Sequence, residues 1–543
     1  MWQWQGCLLL CALLLPLLGD NVGWKAYFAE DSSEFHDLPL AWEDGREVPE
    51  WLSGTYVRNG PAQLSFEGNQ RRKFTSWLDG FAKLHSFKFS GSKVLYSGKM
   101  LESPNYLESV RNGELAPSIT LNKFGSLEEE WSWSEKIQIL VKSLMLTAFD
   151  NNNPALWRIG SESLEDGVYL AVTDSPVVLR FNLTTLETQG MLYPNFFPMT
   201  VAGCAHWIRE PGTDNSINFQ RKMSLGGGVQ MEVQRYRPGD HYTAPQVIAT
   251  FVPKKLSSIH SFSVTKNFVI FFFYPVVIDE AKIWEANFHA FELLTWLEEE
   301  NTDVYVVDLR TGQVSEYETE PTYSAHHANA FEEGDELVVD LCPTPYINLK
   351  TYLDLENQLN PPEILRGIST TADQEFSRYR INMKTSKVST TSFQNTIKSI
   401  FINNFDFPTI NEAYRGVAYC WVYGWSAIDY SRMALTKKNV CDSTKDKVYY
   451  LENHYSSEMH FLARPGGAEE DDGVLVTIVF DGEKEKSYLL LLDAQSFQPL
   501  DRAYLPHNIP WSAHGMHFPE AKFPSSTSPA PGAKPRSNPR GEL

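Results

Sequence analysis

The stretch Leu179-Arg180-Phe181-Asn182-Leu183-Thr184-Thr185 decides the fold. An apolar strand runs into an Asn, turns over polar residues and re-enters as a more polar strand. The same figure returns at Val304 to Val307 with Asp308 before Thr311-Gly312, and at Tyr379-Arg380-Ile381-Asn382 before Thr385. It returns again at Leu490 to Leu492 with Asp493 before Ser496, and more weakly at Phe87-Lys88-Phe89 before Ser90-Gly91-Ser92. Asn and Asp bond their own backbone two residues on, and Gly and Ser tolerate tight bends, so each copy reads as a hairpin. Runs such as Phe268 to Tyr274, Val474 to Val479 and Tyr488 to Leu492 fit strands buried on both faces. Repeated hairpins over most of the chain predict an all-β fold, a β-propeller, against the alternative of a large sandwich or barrel array.

One helix is expected, from Ile278 to Glu300, where Ile283, Trp284, Phe288, Phe291 and Leu294 fall near helical spacing. It reads as a cap on the propeller face, with a lipid-facing entry patch as the alternative, which Glu280, Glu285, Glu292 and Glu298 to Glu300 oppose.

Composition sets limits on partners. The chain has 543 residues, 42% of them hydrophobic, which is enough for a large core. Its formal net charge of -21 opposes binding to nucleic acid or to anionic lipid through a basic patch. Weak peripheral membrane contact is left open, and so is an uncleaved anchor at the N-terminus. Cys7 to Leu18 is an apolar run too short to span a bilayer and similar to the core of a secretory signal, so residues 1-19 are read as a signal peptide. That reading places the protein in the secretory pathway or outside the cell, with the cytoplasm as the alternative. Residues 20-523 form the propeller domain, and the Pro/Ser-rich segment 524-543 is expected to be disordered. Of the cysteines beyond the signal, Cys204, Cys342, Cys420 and Cys441, one bridge or none is expected. Asn182-Leu183-Thr184 is a glycosylation sequon, relevant only in the secretory pathway.

Four histidines share a context. His206, His260, His326 and His514 each follow an outer hairpin turn (Asn182, Pro238, Asp308 and Asp493 in order) by about 18 to 24 residues. That offset carries each to the next innermost strand, so four imidazoles from four blades would meet on the axis. Four neutral nitrogen donors suit a late first-row ion such as iron, copper or zinc. The competing reading, satisfied core histidines, holds for any one of them better than for all four.

The surroundings of these residues resemble the carotenoid cleavage oxygenase family in its animal branch. The likeness begins at Gly54-Thr55-Tyr56-Val57-Arg58-Asn59-Gly60-Pro61 and continues through Trp77-Leu78-Asp79-Gly80 and Leu84-His85-Ser86-Phe87. It includes His326-His327-Ala328-Asn329, Phe405 to Asn411, Glu469 to Gly473, Asn508-Ile509-Pro510 and His514-Gly515. The resemblance implies a seven-bladed propeller with a small dome of helices and loops over the metal face. It implies Fe(2+) on His206, His260, His326 and His514, and no other cofactor. It implies a dioxygenase that cleaves a conjugated double bond of a carotenoid or apocarotenoid with O2, giving carbonyl products of the retinal type. Retinoid isomerohydrolysis on the same iron and non-catalytic carotenoid binding are the alternatives. The family surrounds its ligands with carboxylates, usually glutamates, and the matching positions here are Asp174, Asp406 and Glu458. Two shorter aspartates are a departure, and a water or a small backbone shift is expected to bridge the gap. The stretch Phe124 to Trp131 also lacks the branch's Pro-Asp-Pro-Cys-Lys segment.

Overall fold

Each hairpin expected from the sequence closes an antiparallel pair. Val178–Phe181 pairs with Thr188–Leu192, Thr302–Asp308 with Val314–Thr319, Ser377–Asn382 with Val388–Ser392, and Lys486–Asp493 with Pro499–Tyr504. One device makes all four turns. Asn182 Oδ1 accepts the N–H of Thr184 (2.8 Å) and Thr185 (3.0 Å), and Asp308 Oδ1 those of Arg310 (2.9 Å) and Thr311 (2.7 Å). Asn382 Oδ1 accepts from Lys384 and Thr385, and Asp493 Oδ1 from Ser496. The side-chain oxygen satisfies donors that the turn would otherwise leave open.

The structure, a computed structural model, describes residues 22–519 apart from 46, 67–71, 127, 161–166, 195–198, 224–227, 280–281, 283–284, 345, 362–374, 394–404 and 428–430. The expected signal, 1-19, and the expected disordered tail, 524-543, lie outside the described residues.

Seven sheets of four or five strands form a seven-bladed β-propeller. The first six blades follow one another along the chain, starting at Ala155–Ile159, Thr200–Ala202, Ser263–Val264, Ser324–Glu333, Phe405–Thr409 and His454–Ser456. The seventh is built from both ends of the chain. His514–Phe518 pairs with Ser53–Gln63, placing Phe518 opposite Thr55 and His514 opposite Asn59, and this closes the ring.

The core lies between blades, which explains the continuous apolar runs. In Phe268–Phe273, Val269, Phe271 and Phe273 pack with Phe219 and Phe262 on one side. Ile270 and Phe272 pack on the other side with Leu337, Val339 and Leu341 of the next blade. Both faces of the strand are dry, so the usual polar alternation is absent. Cutting one such ring, as in Phe271→Ala, costs ~3–5 kcal/mol through lost transfer energy and the cavity left behind.

The expected helix from Ile278 to Glu300 is not present. Val276–Ile278 pairs with Leu294–Trp296 as a two-stranded ribbon, with a 3-10 turn at Ala290–Leu293 between them. Asn287 and Phe288 adopt left-handed φ values of 51° and 68°, which no α-helix accommodates. The apolar spacing has another cause. Phe288 and Phe291 pack with Phe124 and Trp131, while Leu294 and Trp296 pack with Phe272. Glu280, Ile283 and Trp284 lie outside the described residues.

The helices of the dome lie elsewhere. Pro104–Asn112 starts with proline at its first turn behind a Ser103 cap. Trp133–Leu144 starts on a capping box of Ser132 and Glu135. Tyr346–Leu353 and Leu355–Leu359 follow the fourth blade's second strand. No helix among the described residues is long and apolar enough to cross a membrane. Cys420 and Cys441 form a disulfide, and Cys204 and Cys342 are buried and free.

Candidate metal centre

Innermost strands carry the four histidines to the propeller axis. His206 sits between Thr200–Ala202 and Ile208–Arg209, the two short inner strands of the second blade. His260 precedes Ser263–Val264 of the third blade, His326 lies in Ser324–Glu333 of the fourth, and His514 opens the closing strand of the seventh. One ring nitrogen from each lies within 4.8 Å of the others. The Nε2 atoms of His206 and His260 face each other at 3.0 Å. His326 and His514 are buried, and His206 and His260 half-buried.

The remaining three blades supply carboxylates. Asp174, from the first blade, meets His260 Nδ1 through Oδ2 at 2.6 Å. Asp406, from the fifth, meets His326 Nδ1 through Oδ1 at 2.7 Å. Glu458, from the sixth, meets His514 Nδ1 through Oε1 at 2.9 Å. The aspartates therefore reach their imidazoles directly, at hydrogen-bond distance, and no bridging water is needed. Backbone N–H groups pin the carboxylates in place. Ala205 N–H donates to Asp174 Oδ1 (3.0 Å), Phe407 N–H to Asp406 Oδ1 (2.8 Å) and Gly515 N–H to Glu458 Oε2 (3.0 Å). Among the described residues no carboxylate contacts His206.

These bonds fix tautomers. An imidazole that donates Nδ1–H to a carboxylate presents its Nε2 lone pair on the opposite side. Three of the four rings are set in that way toward the common centre. Burial, followed by the proximity of His260, His514 and His326, pushes His206 well below its ordinary pKa, so it stays neutral. Burial also lowers His514, against the pull of Glu458. For His260, burial acts downward, but the Asp174 charge and hydrogen bond outweigh it and the net shift is upward. Burial would raise Glu458, yet His514 and then Arg58 hold it below the usual carboxylate range. The donor set is four imidazoles, three of them backed by carboxylates that hold Nδ1–H and leave Nε2 free to bind a cation. It fits a divalent first-row ion, which would keep its charge and leave positions open.

Two other histidines of the quoted motifs play other parts. His327 donates and accepts within Ser263 Oγ (2.8 Å) and the Tyr274 hydroxyl (3.0 Å), and His85 bonds the Tyr96 hydroxyl (2.9 Å). Phe407 is a wall residue that the sequence analysis did not single out. Its ring lies 4.7 Å from that of His326 and 5.4 Å from that of His514, and it stacks on Trp425. Its φ of 53° is unusual for an aromatic residue, and the only hint was its place beside Asp406. Trp511 packs on Phe407 and on Trp77. The same apolar cluster runs on through Phe124 and Trp131 to Ile139 of the helix Trp133–Leu144, so the dome covers this face.

A family model described as Retinal pigment epithelial membrane protein matches residues 28–519. The chain is 27% identical over 523 residues to the mitochondrial carotenoid-cleaving dioxygenase of Macaca fascicularis, covering 87% of this chain and 90% of that one. It is 25% identical over 514 residues to the beta,beta-carotene 15,15'-dioxygenase of Rattus norvegicus, covering 87% and 88%. Among solved structures, the cobalt-substituted Synechocystis apocarotenoid oxygenase superposes with a TM-score of 0.74 at 20% identity, covering 92% of this chain and 98% of that one. With residues 28–519 matched, the chain belongs to the retinal pigment epithelial membrane protein family, the family of the carotenoid cleavage oxygenases.

Proposed function

We propose that this protein is a dioxygenase that holds Fe(2+) on His206, His260, His326 and His514 and cleaves a conjugated double bond of a carotenoid or apocarotenoid with O2, yielding carbonyl products. The observation that carries the reading is the meeting of four imidazoles from four blades, three of them oriented by carboxylates from the other three. Iron, when bound, supplies the redox chemistry and open positions that O2 activation needs. The chain's own residues do the rest. Asp174, Asp406 and Glu458 hold protons on the Nδ1 atoms and keep the lone pairs aimed inward. Neutral ligands leave the ion its positive charge. Phe407, Trp425, Trp511 and Trp77 offer an apolar wall that excludes water and suits a polyene. Which bond breaks is then a matter of where the wall stops the chain, a positioning effect.

The same reading gives the dome an uptake face. Trp133 is 78% exposed, and Ile137, Val141 and Leu144 of its helix and the C-cap residue Met145 are exposed as well. Lys142 ties that helix to Pro104–Asn112, which adds exposed Leu107 and Val110. Six or more exposed apolar side chains in one place exceed ordinary surface scatter. A neutral lipid surface holding the substrate is the occupant, because the acidic chain repels anionic lipid.

The test is purified, iron-loaded protein incubated with several carotenoids and apocarotenoids under labelled O2. Aldehyde or ketone products carrying the label are expected. Activity that persists without O2 would favour ester isomerohydrolysis. Bound pigment without product or iron would favour a carrier.

A further inference from the structure

Two features take no part in the metal centre. The first is the disulfide between Cys420, half-buried ahead of Trp421–Ala427, and Cys441, exposed after Met433–Asn439. A bridge open to solvent is kept reduced where thiol buffers are strong and persists where they are weak. The pairing is selective, since Cys204 and Cys342 are buried and free.

The second is the sequon Asn182-Leu183-Thr184 at the tip of the first blade's outer hairpin. Leu183 is buried, Thr184 and Thr185 are exposed, and the Asn182 side chain is half-buried. Its Oδ1 holds the turn by accepting two backbone N–H groups. The amide nitrogen has no such duty. Asp308 and Asp493 build the same turn in other blades with no amide nitrogen at all. The turn therefore needs the oxygen alone. An N-linked glycan attaches through the nitrogen and leaves the oxygen in place, so this hairpin can carry one without losing its bonds. The tip lies between the two outermost strands of its blade, away from the strands that bear the histidines.

We propose that the protein matures in an oxidising secretory compartment, where Asn182 receives an N-linked oligosaccharide and Cys420 and Cys441 are joined. In the first step the C1–O bond of a lipid-pyrophosphate-linked oligosaccharide breaks. A C1–N bond forms to Asn182 Nδ2, and one amide proton leaves with the pyrophosphate. In the second, two thiols give two electrons and two protons to a donor disulfide, which becomes a dithiol. The apolar run Cys7 to Leu18 would direct entry.

The test expresses the full chain, with its own N-terminus, in a eukaryotic secretory host and maps its peptides by mass. A glycan removable by an amidase is expected on Asn182, together with a cross-linked Cys420–Cys441 peptide. Asn182→Asp keeps the turn oxygen and should lose the glycan while holding the thermal midpoint. Thr184→Ala should lose it as well. Fully unmodified Asn182, or Cys420 and Cys441 both open to alkylation in the native protein, would overturn the proposal. Neither readout involves iron or activity, so the result stands apart from the oxygenase reading.

Discussion

Removing the charge from each supporting carboxylate should weaken metal binding in a set order: Asp406→Asn least, Asp174→Asn more, Glu458→Gln most. The order follows from which oxygens are in use. Asp406 takes both its donors, His326 Nδ1 and the Phe407 N–H, on the single atom Oδ1. An asparagine can keep that oxygen in place and lose only the charge. Asp174 uses both oxygens, Oδ2 for His260 and Oδ1 for Ala205 N–H. Its amide replacement must turn an NH2 group on one of two donors. Loss of such an orienting partner costs about 10–100-fold in metal affinity, so Asp406→Asn is expected near 10-fold and Asp174→Asn near 100-fold. Glu458 also uses both oxygens, and its Oε2 lies 3.6 Å from Arg58, whose side chain is wholly buried. Glu458→Gln thus leaves a buried cation uncompensated, a further ~3–5 kcal/mol against the fold. Chelator competition on cobalt-loaded protein, read by visible absorption, measures the affinities, and thermal scans measure the fold. Equal losses at Asp174 and Asp406, or a larger loss at Asp406, would refute the reasoning.

Further outcomes follow from other parts of the molecule. Asp79 is buried, accepts the Leu121 N–H, and burial raises its pKa to about 7. Its folded pKa stands above the unfolded value, so the folded state keeps a proton that the unfolded state has lost, and stability falls as pH rises from about 4 through 7. Asp79→Asn stays neutral and should flatten that slope, gaining up to about 4 kcal/mol on the wild type at pH 8 relative to pH 4; parallel curves would count against it. Replacing Trp133 and Leu144 by serine should abolish sedimentation with neutral phosphatidylcholine vesicles, at roughly 1.5–3 kcal/mol per side chain, while metal content stays unchanged. Cys420→Ser with Cys441→Ser opens a link of sequence separation 21 and should lower stability by about 3 kcal/mol in urea titrations.

Much of the architecture was legible because local chemistry and global geometry repeat together. A turn built on Asn or Asp recurs in four of the seven blades, and the next inner strand follows at a similar distance. The histidines could be grouped on that basis before any contact was known. The false helix at Ile278 to Glu300 shows where the method fails. Apolar spacing records which residues meet a core, and a ribbon between two cores can imitate helical spacing. For the dome helix Trp133–Leu144 the sign in the sequence is the capping box of Ser132 and Glu135. Phe407 was beyond reach because its role depends on a left-handed backbone that its residue type does not announce. The direct reach of Asp174 and Asp406 was not legible for a similar reason: side-chain length was known, but the position of the backbone was not.

The metal centre and the closure of the ring share one strand, yet they are held by different forces. His514 opens the strand that joins the two ends of the chain. Arg58, on the facing strand, donates to the Ser512 hydroxyl (3.3 Å), the Ala513 carbonyl (3.0 Å), the Glu458 carbonyl (3.0 Å) and the Ser512 carbonyl. Gly515 makes room for it, since a Cβ there would meet Arg58 Cδ at 2.7 Å. This clamp needs no ion. Stripping the metal should therefore remove only the binding contribution, about 2.7 kcal/mol at a ligand concentration of 100 Kd, and leave the closing strand protected from hydrogen exchange. Arg58→Leu removes five donors and strands Glu458, so exchange should rise first in His514–Phe518 even with metal present. If chelation alone released that strand, the ion and not the arginine would be the bolt of the propeller.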